Sequence, residues 1–244
     1  MKKLSVLFFA GLLFLVSCGE KKDVTDKKDS KEEPKARNDV MTKELQQAKT
    51  PASIITVLKE GNAKFVKGDL TFTDYPKQIM QTSEGQYPAA VILSCLDSRI
   101  PVEKVFDLGV GDVFVGRVAG NIVNADMLGS MEFACKLSGS KLVLILGHTE
   151  CGAVKGAIDN AKLGNLTELL AKIRPAVDSA SSFQGDKTTK NKEFVDMVAQ
   201  KNVLLTMNEV RKKSPVLKDM EDKGEIDIIG GFYDITTGKV TFME

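Results

Sequence analysis

Histidine occurs once in the 244 residues, at position 148, and tryptophan does not occur at all. Tyrosine numbers three against twelve phenylalanines, so aromatic packing has to come from Phe. The formal charge is only +1, and without a basic surplus the composition gives no footing for nucleic-acid binding. Cysteine is sparse: four residues, at 18, 95, 135 and 151, do not make a disulfide framework for a chain of this length. The apolar run Leu4 to Val16 is too short to span a membrane as a mature helix. No internal repeat is visible. What remains is ordinary globular material, 43% hydrophobic, enough for one good-sized domain plus extras.

The extras are at the front. Met1-Lys2-Lys3 ahead of the apolar run is a basic n-region, and Leu15-Val16-Ser17-Cys18 resembles the lipobox of bacterial lipoproteins. In that motif the cysteine is lipidated and becomes the first mature residue. Residues 1–17 are therefore expected to be a signal peptide and Cys18 the lipidation site. The protein would be exported and lipid-anchored to a bacterial cell membrane, on its periplasmic or extracytoplasmic face, touching the membrane through the N-terminal lipid only. Residues 18–40 follow as a tether. Gly19 to Val40 holds seven basic and seven acidic residues and almost nothing apolar, so it cannot bury enough surface to fold. Its r.m.s. reach is roughly 25 Å.

Residues 41–244 read as the folded domain. Pro51 to Lys67 is an amphipathic helix with Ile54, Leu58 and Phe65 on one side and Gly68 as its stop, the start of an N-terminal helical arm. Tyr75 to Ser83 reads as loop and short helix. Strands are expected near 89–94, 112–117, 141–147 and 226–233, and Ile235 to Val240 turns into a short C-terminal edge strand. Helices are expected near 124–138, 152–162, 165–181, 189–212 and 215–223, the last with Ser214 as N-cap and Pro215 at its first position. This alternation predicts an α/β fold: a central, mostly parallel sheet of about four strands plus the edge strand, with helices on both faces.

Chemistry gathers at two strand ends. Val91 to Ser94 runs into Cys95-Leu96-Asp97-Ser98-Arg99, and Leu142 to Leu146 runs into Gly147-His148-Thr149-Glu150-Cys151-Gly152. Cys95, His148 and Cys151 offer zinc three protein ligands with one position open, the usual catalytic arrangement. Taken one at a time, a buried cysteine or a satisfied histidine explains each of them; two strand ends together point to a metal. Asp97 has two possible roles. It can occupy the fourth position and close the site, or turn to Arg99 in a charge-assisted pair and leave the metal open to hydroxide. Cys135 lies in a helical pattern and reads as a small buried apolar residue.

Cys95-Leu96-Asp97-Ser98-Arg99 and His148-Thr149-Glu150-Cys151 together resemble the paired zinc motifs of the β-class carbonic anhydrases. The resemblance continues through Gly111 to Asn121, the family's pocket-lining segment, and extends over about residues 51–242. It implies Zn²⁺ as cofactor, Cys95, His148 and Cys151 as permanent ligands, Asp97 as exchangeable fourth ligand and Arg99 as its dyad partner. It further implies substrate contacts for Gln86, Phe114, Ala119, Gly120 and Phe133, with Gln86 commonly acting across a subunit boundary. Phe133 stands where many members have tyrosine, and Ala119 is smaller than a frequent valine. The absence of Trp argues against an inhibitory bicarbonate site of the kind some members possess.

The activity implied is reversible hydration of CO₂ to bicarbonate by zinc-bound hydroxide, gated by the Asp97–Arg99 dyad, in a homodimer or higher even oligomer. With one histidine in the chain, a histidine proton shuttle is excluded. Two alternatives stand beside this reading: a hydrolase of carbonyl sulfide or carbon disulfide on the same scaffold, and a non-catalytic zinc- or bicarbonate-binding lipoprotein.

Overall fold

The computed structural model describes residues 39–243; the expected signal peptide, Cys18 and nearly all of the tether lie outside the described residues. Among the described residues, five strands form one sheet in the order β2-β1-β3-β4-β5. They are β1 (Ala90–Ser94), β2 (Val113–Arg117), β3 (Leu142–His148), β4 (Asp227–Tyr233) and β5 (Val240–Met243). The first four are parallel and β5 is antiparallel to β4. Ala90–Ser94 and Leu142–His148 are buried at every position, as strands must be when both sheet faces are covered.

Among the same residues, ten α-helices connect and cover these strands: α1 (Lys43–Ala48), α2 (Pro51–Lys67), α3 (Tyr75–Thr82), α4 (Val102–Val105), α5 (Ala125–Glu132), α6 (Gly152–Ile158), α7 (Gly164–Ala171), α8 (Arg174–Ser179), α9 (Lys192–Lys213) and α10 (Pro215–Asp222). Local signals set several of the boundaries. The Thr50 hydroxyl accepts from the Ser53 amide and Ser53 returns the bond, a capping box with Pro51 at the first helical position. The Ser214 hydroxyl likewise accepts from the Leu217 amide to start α10.

One face of the sheet carries α9, whose Val203 fills the space above the side-chain-free Gly147 of β3 and Gly230 of β4. The opposite face is closed by α2 and α4. Phe106, at the end of α4, lies 6.2 Å from Phe242 of β5, and the Asn62 amide of α2 donates to the carbonyls of Val105 and Gly238. The layers therefore match the expected α/β architecture.

Connections depart from the sequence reading in four places. The single helix expected over 165–181 is two, α7 and α8, because the chain turns at Lys172-Ile173 ahead of Pro175. The helix expected over 124–138 widens into a π turn at Phe133–Leu137. Helices α1 and α4, and the tight turn Ala119–Asn121, are too short for a hydrophobic period to reveal. The helix near 152–162 stops at Ile158.

The chain passes from β1 to β2 on one side and then to β3 on the other, so the direction of winding reverses between β1 and β3. That reversal opens a crevice at the carboxyl ends of these two strands, where open α/β sheets bind their ligands. Register pairs Ser94 with Leu146, so Cys95 and His148 emerge almost side by side.

A close backbone approach supports the face opposite α9. A Cβ on Gly61, in the middle of α2, would sit 1.9 Å from the Phe106 carbonyl oxygen. Gly→Ala in a helix ordinarily gains about 1 kcal/mol. Here the overlap with backbone outweighs that gain, and Gly61→Ala is expected to lose about 2 kcal/mol net, measured by denaturant unfolding.

Candidate metal centre

Cys95, His148 and Cys151 present their ligand atoms within 4.8 Å of one another, and all three are buried. The two sulfurs lie 3.9 Å apart. His148 is fully buried, and its Nδ1 stands 2.9 Å from the Thr149 carbonyl oxygen. A carbonyl can only accept, so Nδ1 carries the proton and Nε2 is left with its lone pair. That Nε2 has no hydrogen-bond partner among the described residues. A buried imidazole nitrogen with nothing to accept from is costly unless something occupies its lone pair. Two sulfurs and one such nitrogen are the donor set zinc selects, so the residues present fit the metal.

Sulfur charge follows from the same geometry. The hydrogen bond from Cys151 pulls the Cys95 thiol down to about 4 against the opposing effect of burial, with further help from the Gly120 N–H at 3.3 Å. Cys151 is pushed up by its bond to Cys95 and by burial, although the amides of Ala153 and Val154 at the start of α6 favour its thiolate. The thiolate is thus favoured at Cys95 over Cys151. Cys135 is different. Burial alone pushes its thiol up to about 12, as expected of an inert core residue.

Asp97 leaves the strand end beside this cluster, with Oδ2 4.0 Å from His148 Nε2. Arg99 grips both carboxylate oxygens, Nε to Oδ1 at 2.9 Å and a terminal nitrogen to Oδ2 at 2.7 Å, while its backbone N–H donates to Oδ1 at 3.0 Å. This bidentate bond holds the Asp97 carboxyl well below the usual carboxylate range. Of the two arrangements open to Asp97, the structure contains the pair with Arg99.

Other expected contacts fall elsewhere. Phe114 and Phe133 meet edge to face at 6.1 Å and line a hollow of about 690 Å³ with Val91, Leu93 and Met127. None of the three metal-site residues lines that hollow. Ala119 and Gly120 sit in the tight turn against Cys95. Gln86 precedes β1 and lies in a hollow with Lys43, Gln47 and Lys136, at the sheet end opposite Cys95. The length of β1, roughly 15 Å, separates them. Cys18 lies outside the described residues.

Three supporting residues escaped the sequence reading. Arg117 ends β2 with its guanidinium turned across the strand ends, donating to the Cys95 carbonyl at 3.0 Å and to the Asp97 carbonyl. Its one signal was a cation ending an apolar strand. Asp196 of α9 accepts the Glu150 amide at 2.9 Å and holds that residue at φ 58°, between the two ligands of the second motif. Asn202 of α9 donates to the Gly120 carbonyl at 2.7 Å. On a helix carrying Gln, Lys, Asn and Glu throughout, nothing marked either of these two as facing inward.

Comparison with known proteins points one way. A family model described as carbonic anhydrase matches residues 90–240. Carbonic anhydrase 2 of Mycobacterium tuberculosis is 30% identical over 203 residues, covering 80% of this chain and 93% of the relative. The carbonic anhydrase of Mycolicibacterium smegmatis is 31% identical over 199 residues, covering 78% and 92% respectively. Among solved structures, the β-carbonic anhydrase CafA of Aspergillus fumigatus superposes with a TM-score of 0.61 at 29% identity, covering 79% of this chain and 90% of that one.

The donor set predicts one zinc per chain. Metal analysis of Cys95→Ser or His148→Ala should find most of it lost, since each removes a third of the ligands and leaves buried partners unsatisfied. Thiol alkylation of the loaded protein should spare Cys95, Cys135 and Cys151. Chelation should release the first and third while Cys135 stays unlabelled until unfolding.

Proposed function

Because the chain belongs to the carbonic anhydrase family, we propose that it hydrates carbon dioxide reversibly to bicarbonate, with zinc held by Cys95, His148 and Cys151. The observation that carries this reading is the buried triad with the unpartnered His148 Nε2. Zinc bound there supplies a Lewis acid that makes water nucleophilic near neutral pH.

The chain's own residues do the rest. Two thiolates balance a dication, so the centre is neutral in its burial. The Thr149 carbonyl fixes the tautomer and the plane of His148. Asp97, held ionised by Arg99, is an acceptor beside the triad and would orient the attacking water by accepting a hydrogen bond from it. Arg99 also competes with the metal for Asp97 and so keeps the fourth position available. Arg117 pins the Cys95 and Asp97 carbonyls, which stops the loop from following whichever partner Asp97 takes. Protons leave to bulk buffer.

Assembly follows from Gln86. With a strand's length between it and Cys95 in one copy, the bicarbonate contact that the resemblance implies for it would come from a second copy, which supports a homodimer or a higher even oligomer. Leu137, 77% accessible, lines the same hollow as Gln86 and supplies apolar surface there. The leader and Cys18 support export and lipid anchoring, so that the domain works outside the cytoplasm on a tether.

Stopped-flow hydration of CO₂ by the zinc-loaded full chain tests the activity, with carbonyl sulfide as comparator. Turnover of neither substrate above buffer would sink the proposal. Asp97→Asn should lower peak turnover by about 10²-fold or more, because the water loses its acceptor and Arg99 its partner. An Asp97→Asn protein with wild-type rate would strip Asp97 of this role.

Anchoring has its own test. Wild type should partition with membranes, resist extraction by high salt and yield to detergent, because acyl chains rather than charge hold it. Cys18→Ala, if exported, should be soluble. Release of the wild type by salt alone would contradict the anchor.

A further inference from the structure

Asn202 occupies the middle of α9, 1% exposed, among Val198, Ala199, Val203 and Thr206, all buried. Its amide nitrogen donates to the Gly120 carbonyl at 2.7 Å, while its amide oxygen has no hydrogen-bond partner among the described residues. As a stability device this is poor. One intramolecular hydrogen bond contributes about 1 kcal/mol, and a buried orphan oxygen costs about 1–3 kcal/mol. A leucine of similar volume would serve the core better.

The value of the bond lies at the other end of the same residue. Gly120 stands at φ 70°, a conformation glycine alone adopts freely, and a Cβ there would meet Ile173, just ahead of α8, at 2.5 Å. This turn points the Gly120 N–H at the Cys95 sulfur, 3.3 Å away. Asn202 therefore fixes the glycine whose amide reaches the thiolate. Ile173 closes the turn on its outer side.

We infer that Asn202 is a positioning residue for the metal centre: by holding the Gly120 carbonyl it fixes the φ/ψ of that glycine, so aims its N–H at Cys95 and sets how strongly the sulfur donates to the metal. The inference rests on the zinc reading above and extends it to a residue outside both motifs. An N–H donated to a thiolate lowers the energy of its lone pair and makes it a weaker donor, which leaves the metal a stronger Lewis acid. Outer partners of this kind govern metal retention as well as ligand orientation.

The test uses the full chain loaded with cobalt, whose thiolate-to-metal charge-transfer band reports the sulfur lone pair. Asn202→Leu should move this band to lower energy, and the zinc-loaded variant should lose metal to a chelator at a rate changed by about 10-fold. Its thermal unfolding should not fall below wild type, whereas a purely structural role predicts a loss of stability. Asn202→Ser serves in the same measurements if Asn202→Leu does not fold. In the cadmium-113-loaded wild type, a scalar coupling between the metal and the Gly120 amide proton should be visible without any substitution.

A folded Asn202 variant with an unmoved band and an unchanged rate of metal loss overturns the inference, as does absence of that coupling. Failure of the wild type to bind cobalt, zinc or cadmium would instead overturn the metal reading from which it starts.

Discussion

Two sulfurs 3.9 Å apart, both buried, with an imidazole nitrogen that has nothing to accept from, form a cluster that cannot satisfy itself. Two thiolates that close repel, and the low polarity around them magnifies the repulsion. A dication would remove the conflict and fill the imidazole lone pair at once. The surrounding structure follows from keeping that cluster in place. Parallel β1 and β3 deliver the ligands at matched height, α6 begins at the third ligand, and α9 spans behind them to brace both motifs.

Bracing is done mainly by backbone groups rather than by further ligands. Arg117 holds carbonyls of the first motif, Asp196 holds an amide of the second, and Asn202 holds the turn between β2 and α5. Each is a side chain gripping a peptide, so each fixes direction as well as distance. This division lets the ligand loops be short and irregular, Glu150 at positive φ included, while the rigid elements carry the precision.

The Asp97–Arg99 pair belongs to a different layer of the structure. It is partly exposed, and its bidentate geometry rather than its burial makes it more than an ordinary surface ion pair. Separate again is the hollow of Phe114 and Phe133, on the helix-covered face of β1 and β2 and apart from the triad. Hollow and metal centre are thus not one cavity within a single copy of the chain. The proposed even assembly would bring Gln86 of one copy toward the metal centre of another.

Much of this was legible in the residues. Val91 to Ser94 and Leu142 to Leu146 read as buried strands, being short apolar runs that end in polar clusters, and the three ligands pointed to a metal once the two strand ends were taken together. Ser214-Pro215 and Gly68 marked helix ends through side-chain chemistry that acts within four residues. Local chemistry of that range is what a sequence determines by itself. The tertiary structure decided which partner each group takes. Asp97 could have turned to the metal position or to Arg99, and Arg117, Asp196 and Asn202 carried no mark of their roles. Their partners lie 20 to 82 residues away, and those separations close only when the sheet forms. Hydrogen-bond partners across such distances depend on strand register and helix placement, which no local propensity encodes.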